Sequence, residues 1–209
     1  MNSGIKATVA GVGINDSSTP VTYTVDGVKH IEPYYKAWSS MISRCYRPKT
    51  QKNQVTYKGC SVCDDWLLFS NFRDWMKQQD WKGKQLDKDL LVSGNKVYSS
   101  QTCLFITSPV NKALTLRGLD RGAYPIGCHY SVRDSAYVAQ CSDGKGGRLF
   151  LGRYKTPMEA HRAWQVKKIK VLDGLKDSQP DFLVKIGLQR IIDKIQDDYD
   201  NNRETIDFN

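Results

Sequence analysis

A change of hydrophobic period near residue 155 constrains this chain more than any other feature. Before it, "IGCHYSV" (126–132), "AYVAQCSD" (136–143) and "RLFLGRY" (148–154) alternate apolar and polar residues as short strands do. Arg133-Asp134-Ser135 and the stretch Asp143 to Gly147 separate them as turns. After it the period becomes helical. Thr156 stands as N-cap, Pro157 at the first helical position and Glu159 where a capping box closes. The pattern predicts three short strands and a helix to Gly174; a three-stranded sheet with one helix has one covered and one open face. Alternation groups Tyr137, Ala139 and Cys141 on one face and Val138, Gln140 and Ser142 on the other. In the third strand it turns Leu149 and Leu151 inward and Arg148 and Phe150 outward. His161, mid-helix near Ala160 and Trp164, is read as a helix-surface or packing residue rather than a ligand.

Charge is divided unevenly. The 209 residues carry 31 Lys and Arg against 22 Asp and Glu, a formal charge of +9. Residues 177–209 hold four basic and eight acidic residues, which leaves 27 basic against 14 acidic in residues 1–176. A basic body with an acidic tail suits a polyanionic partner, because Lys and Arg replace the counterions condensed on nucleic acid. No run of 18 apolar residues exists to span a membrane. The opening "MNSGIKATVAGVGIND" lacks the basic start and long apolar core of a secretory signal, so the expectation is a soluble, intracellular protein.

Upstream, turn signals at Asn15-Asp16 and Asp26-Gly27 bracket "PVTYTV", which predicts a hairpin ending at Pro33. Tyr35, Trp38, Ile42 and Cys45 then form one stripe of a helix over "YYKAWSSMISRCY", stopped by Pro48. "KTQKNQVTYKG" reads as a polar, basic loop. "WLLFSNFRDWMKQQ" predicts a second helix with Phe69, Phe72, Trp75 and Met76 on one side, as core rather than as a stacking platform. Residues 86–114 read as strand, turn, strand, helix. A last amphipathic helix fits "PDFLVKIGLQRIIDKIQDDY", with Phe182, Ile186, Ile192 and Ile195 in its apolar stripe. Six cysteines stand at 45, 60, 63, 103, 128 and 141. Cys60 and Cys63 form a CxxC without a second pair, and "CSVC" reads as a short strand, so zinc is not expected.

The segment 124–174 resembles the ethylene-response-factor (Apetala) DNA-binding domain through "AYVAQ", "LGRYKTPMEAHRAW" and the closing Gly. That resemblance implies a three-stranded sheet, backed by one helix, whose open face contacts DNA. The residues agree with it: Arg and Gln read base edges in a major groove, and cations hold phosphate. The candidate DNA-binding residues are His129, Arg133, Gln140, Arg148, Phe150 and Arg153. His129 and Ser131 stand on the first strand where the plant family carries more arginines.

Residues 34–114 resemble the HNH-like domain that precedes Apetala-type domains in phage-encoded, homing-type endonucleases. The motifs are "YKAWSSMISRCYRPK", "YKGCSVCDDWLLFSNFRDWM" and "GKQLDKDLLVSGNKVYSSQTCLFI". The resemblance implies a ββα-metal site at residues 83–114, with Asp87 and Asn111 as metal ligands and Mg²⁺ as the ion. Lys88 occupies the position of the general-base His, and Thr102 that of a supporting loop Asn. A lysine of ordinary pKa is protonated and cannot take a proton, so the expectation is a weak or decayed nuclease, with Lys88 at the catalytic position as a fixed cation toward phosphate. Alternation places Asp89 on the face of Asp87, as a further carboxylate of a DKD cluster. The alternative is a non-catalytic DNA- or host-protein-binding regulator or inhibitor.

The expected organisation is therefore α+β: a hairpin region (1–33), an HNH-like ββα domain (34–114), a linker (115–121), a sheet-and-helix DNA-binding domain (122–176), and an acidic C-terminal helix and tail (177–209). The expected partner is double-stranded DNA in the host cell cytoplasm, with no membrane. A host protein or self-association through the C-terminal helix is a further expectation.

Overall fold

The computed structural model describes residues 8–116 and 123–208, apart from the side chain of Val55. Residues 117–121 of the expected linker, and Gly122 after them, lie outside the described residues. The chain is mixed α+β and divides into two units, residues 1–105 and 106–209. The division falls ahead of the boundary expected at 115–121.

In the first unit, β1 (Thr8–Val9) pairs antiparallel with β2 (Gly13–Ile14). A Cβ on Gly13 would stand 2.9 Å from the Trp38 ring, so only glycine allows this approach. The expected hairpin forms from β3 (Thr22–Val25) and β4 (Val28–Ile31). Asp26 and Gly27 between them have φ of 50° and 76°, the left-handed pair a two-residue turn of the favoured hand requires. Helix α1 (Pro33–Tyr46) buries Trp38, Met41, Ile42 and Cys45. The expected loop after it begins instead with a short helix, α2 (Pro48–Asn53). Pro48 starts this helix as well as ending α1: Arg47 takes the extended conformation favoured before proline, and proline fits a first helical turn.

The strand in "CSVC" is β5 (Ser61–Val62). The second expected helix starts later than its pattern suggested, as α3 (Phe69–Lys77), because residues 64–67 form a 3₁₀ turn. That turn sets Trp66 into the core, where its carbonyl accepts a 2.7 Å bond from Trp38 Nε1. Trp66, Phe72 and Trp75 meet at edge and tilted angles, and Trp75 stacks on Phe105. The aromatics here are core, as read from the sequence.

The stretch after α3 is more divided than the single hairpin expected. β6 (Gln85–Asp87) pairs with β8 (Leu104–Ile106), and helix α4 (Ser108–Leu114) follows. Between them β7 (Val97–Tyr98) pairs in parallel with β5. Val97 is 40% exposed, while its neighbour Tyr98 is buried.

The second unit is built on β9 (Cys128–Ser131), β10 (Ala136–Ser142) and β11 (Arg148–Tyr154), antiparallel in the order β11-β10-β9. Helix α5 (Pro157–Asp177) opens with the expected capping box of Thr156 and Glu159. It does not stop at Gly174 but continues through it. A mid-helix glycine costs only about 1 kcal/mol, and α5 is supported along its length by α6 (Phe182–Asp200). The buried stripe of α6 is Val184, Leu188, Ile191, Ile192 and Ile195. This corrects the expected stripe, since Phe182 is 72% and Ile186 46% exposed. Asp181 caps the helix by accepting from Leu183 N and Val184 N, which sets Phe182 in the first, outward turn.

The residues after α6 fold back on α5. His161 Nδ1 donates to Ile126 O at 2.8 Å, and its Nε2 accepts from Thr205 N at 3.0 Å. Gln165 Nε2 donates to Arg203 O and Thr205 Oγ1, and Thr205 Oγ1 donates to Asp198. Arg190 holds Phe208 O. His161, Gln165 and Thr205 are all fully buried. The acidic tail is thus part of this unit's core.

Candidate nucleic-acid interface

The open face of the second unit's sheet is set by its register. His129 pairs with Val138 and Val138 with Arg153, which puts all three in one row on one face. Gln140 and Phe150 form the next row, and Ser142 and Arg148 the last. The opposite face turns Cys128 and Ala139 onto Ala160 of α5, with Tyr137 and Leu151 packed around them. Five of the six residues proposed from sequence therefore share one face, and Arg133 projects from the β9–β10 turn.

Arg153 reaches this face for a reason simple alternation does not reveal. Strict period two after Phe150 would send Gly152 outward and Arg153 inward. A bulge between Ala139 and Gln140 of β10 and residues 150–152 of β11 shifts the register, so Gly152 lies opposite Ala139. Gly152 has φ of 135°, a conformation side chains with a Cβ rarely take. The result sets the Arg153 guanidinium 5.2 Å from the centre of the exposed Phe150 ring.

Asp134 organises the turn end. It accepts from Ser131 Oγ at 2.9 Å and pairs with Arg153 at 3.2 Å and Arg133 at 3.3 Å. The Ser131 hydroxyl first, then the two arginines, hold its carboxyl below the usual range. At the other end Asp143 Oδ1 accepts from the backbone N–H of Lys145, Gly146 and Gly147, which closes the β10–β11 loop and lowers its pKa. Both turns are tied, so the face between them is presented on a fixed frame.

The residues expected to form a metal site behave differently. Asp87 ends β6 in the first unit; Asn111 lies in α4 of the second. Asp87 Oδ1 accepts from Asp89 N at 3.0 Å and Leu90 N at 2.8 Å, and burial pushes its carboxyl up. The strand stops at Asp87, so alternation does not extend to Asp89. Its carboxylate instead pairs with Lys88. Lys88 is 4% exposed: Nζ also donates to Asn95 O at 3.0 Å and sits 5.8 Å from the centre of the Tyr98 ring. That corrects the expectation of a cation presented to phosphate.

Sequence reasoning overlooked Asn95. Its amide donates to Lys88 O and Val97 O and accepts from Val97 N, so it clamps the loop between β6 and β7. The signal was present in the Gly94-Asn95 turn. Thr102, assigned that supporting role, bonds Val97 O and Ser99. Beyond Tyr98 the Arg44 guanidinium lies 5.6 Å from the ring centre, and burial pushes the phenol up.

One engaged carboxylate beside a buried ammonium does not make a Mg²⁺ site by itself, since Mg²⁺ binds through oxygen ligands in near-octahedral geometry. Among the described residues no three His, Cys, Asp or Glu side chains group as metal ligands would. The six cysteines are free, and burial pushes the thiols of Cys45 and Cys103 up to about 12. Among the described residues no helix is long and apolar enough to cross a membrane.

Compared with known proteins, the chain matches no family, no curated protein and no solved structure.

Proposed function

We propose that this chain is a DNA-binding protein of the phage HNH-like homing-endonuclease kind, which grips double-stranded DNA with the open face of β9–β11. The observation that carries this reading is the placement of His129, Gln140, Arg148, Phe150 and Arg153 on one face, where all but the half-buried Gln140 are exposed. Arginine and glutamine offer the forked donors and acceptors that major-groove base edges match, and Phe150 offers an apolar surface for a thymine methyl. The excess of basic residues in 1–176 supplies the phosphate attraction. Anisotropy with a fluorescent duplex across a salt series tests the reading. Replacing Arg148 and Arg153 together with Ala is expected to weaken binding and reduce the salt slope by about 1 for each phosphate no longer held. Unchanged affinity and slope would sink it.

A second reading concerns cleavage. The buried pairing of Lys88 with Asp89 and Asn95 favours a non-catalytic role for the first unit, because that side chain is engaged and is 4% exposed. Supercoiled plasmid with Mg²⁺ or Mn²⁺ is expected to stay intact. Nicking by the parent chain that disappears in Asp87→Asn would establish a metal-dependent nuclease instead. Cleavage gained only in Lys88→His would identify a decayed one.

A further inference from the structure

The sheet has an opening at one edge that neither the strand pattern nor the proposed face accounts for. β9 pairs with β10 only as far as Cys128 and Ala139, and the last bond across this edge runs from Gln140 N to Gly127 O. β10 continues to Ser142 without β9 beside it. There a cleft of about 940 Å³ opens, lined by Arg148 and His129 from the open face and by Lys168 from α5, with Lys112 of α4 at its side. The gap lets the helix behind the sheet line the same cleft as the residues in front of it.

The chemistry of that cleft is one-sided. Among the described residues its lining holds Lys112, Arg148, Lys168 and His129 and no Asp or Glu. Lys168 is the informative member. It is 2% exposed, and its ammonium donates to Ala113 O in the last turn of α4. That bond satisfies one of three N–H donors and explains how a cation suits the carbonyl end of a helix. The Trp164 and Phe208 rings stand 5.9 Å and 5.6 Å away. Burial lowers its pKa, and among the described residues the group acting against this is the Cys141 thiol rather than a carboxylate. An ammonium held in this way without a carboxylate is costly, and an anion in the cleft offsets that cost.

We propose that this edge cleft binds a phosphate group, with Lys168 on its floor and Lys112, His129 and Arg148 around it. The proposal deepens the DNA-binding reading and rests on it for the source of the phosphate: a backbone phosphate of a duplex whose bases lie against the open face. A phosphate here fixes the register of the duplex on the face, since phosphate contacts position while base contacts specify.

The test uses the full chain in two arms. In the first, inorganic phosphate is titrated at constant ionic strength, balanced with chloride, while backbone amide NMR signals are followed. Saturable shifts at Gly127, Gln140, Gly146 and Gly147 are expected, and Lys112→Gln with Lys168→Met should abolish them. In the second arm, duplex binding is measured across a salt series. Each of the two substitutions is expected to lower the slope by up to about 0.9 if its lysine holds a separate phosphate, and the pair by about 0.9 if they share one. Lys112 is exposed, so Lys112→Gln remains informative if Lys168→Met fails to fold. A lowered slope assigns the site to backbone phosphate. Saturable shifts with an unchanged slope assign it to a free phosphate instead. Duplex binding weakened by Arg153→Ala, which lies outside the cleft, but unchanged in slope by Lys112→Gln, with no saturable phosphate shifts, overturns the cleft and leaves the open face standing. Absent duplex binding with saturable phosphate shifts overturns the DNA reading and keeps the phosphate site.

Discussion

Asp87 illustrates how completely neighbours can decide what a carboxylate does. As a residue type at the end of a strand it is an eligible ligand; in place, one of its oxygens accepts two backbone N–H groups and nucleates the turn into residues 88–96. Burial raises its pKa despite those bonds. A group whose folded pKa lies above its unfolded value contributes stability that is fully present below the unfolded pKa, about 3.9 for Asp, and lost as pH rises through the folded one. Asp87→Asn keeps an oxygen for the two N–H groups and removes the charge. The variant is therefore expected to be more stable than the parent at pH 7, with the difference vanishing near pH 3. Urea unfolding at the two pH values measures this; a variant less stable at pH 7 would show that the charge itself holds the turn. The same residue serves the plasmid assay, because the substitution spares the turn while removing the carboxylate.

Among the elements, β11 shows where the sequence pattern was enough and where it fell short. Its strand character, its neighbours and the capping box of α5 follow from local chemistry: alternation, turn residues, and a Thr-Pro-x-Glu start. The bulge does not, because period-two reasoning counts residues and cannot see that one of them goes unpaired. Nor could it anticipate that β6 pairs past β7 to reach β8, since pairing over that distance is decided by the core and by the clamp of Asn95. The helix over 48–53 is hidden because a proline that stops one helix can equally start the next. On α6 the apolar residues were legible but the buried side was not, as Phe182 and Ile186 compete with Val184 and Leu188 for the same pattern. Among the site residues, the outward set on β9 and β10 was readable; the burial of Lys88 was not, because lysine is seldom buried. Gly152→Ala tests the bulge. An alanine forced to φ of 135° should cost about 1–3 kcal/mol. It should also weaken duplex binding by displacing Arg153. Thermal unfolding and anisotropy read the two effects separately, and a variant with parental stability would mean the strand re-registers without strain.

At the scale of the whole molecule, the charge division acquires a structural reason. Residues 177–209 carry the acidic excess, and their helix α6 packs against α5, the helix that backs the sheet. The ties holding the last residues there run through His161, whose two ring nitrogens serve Ile126 and Thr205. His161→Phe fills a similar space but leaves a buried carbonyl and a buried N–H without that partner, at about 1–3 kcal/mol for each group orphaned. Chemical denaturation should register that loss. Hydrogen exchange should place it in residues 203–208 and around Ile126, and unaltered protection at Thr205 would mean the tail is held by Gln165 and Arg190 alone. The tail's position also sets a clock on synthesis. The sheet and α5 are made first, yet His161 and Gln165 lack these partners until Arg203 and Thr205 have left the ribosome. On a nascent chain the second unit therefore stays incomplete until residues 203–208 are translated, and a ribosome stalled a handful of codons before them releases a chain with its basic strands made and its core unfinished.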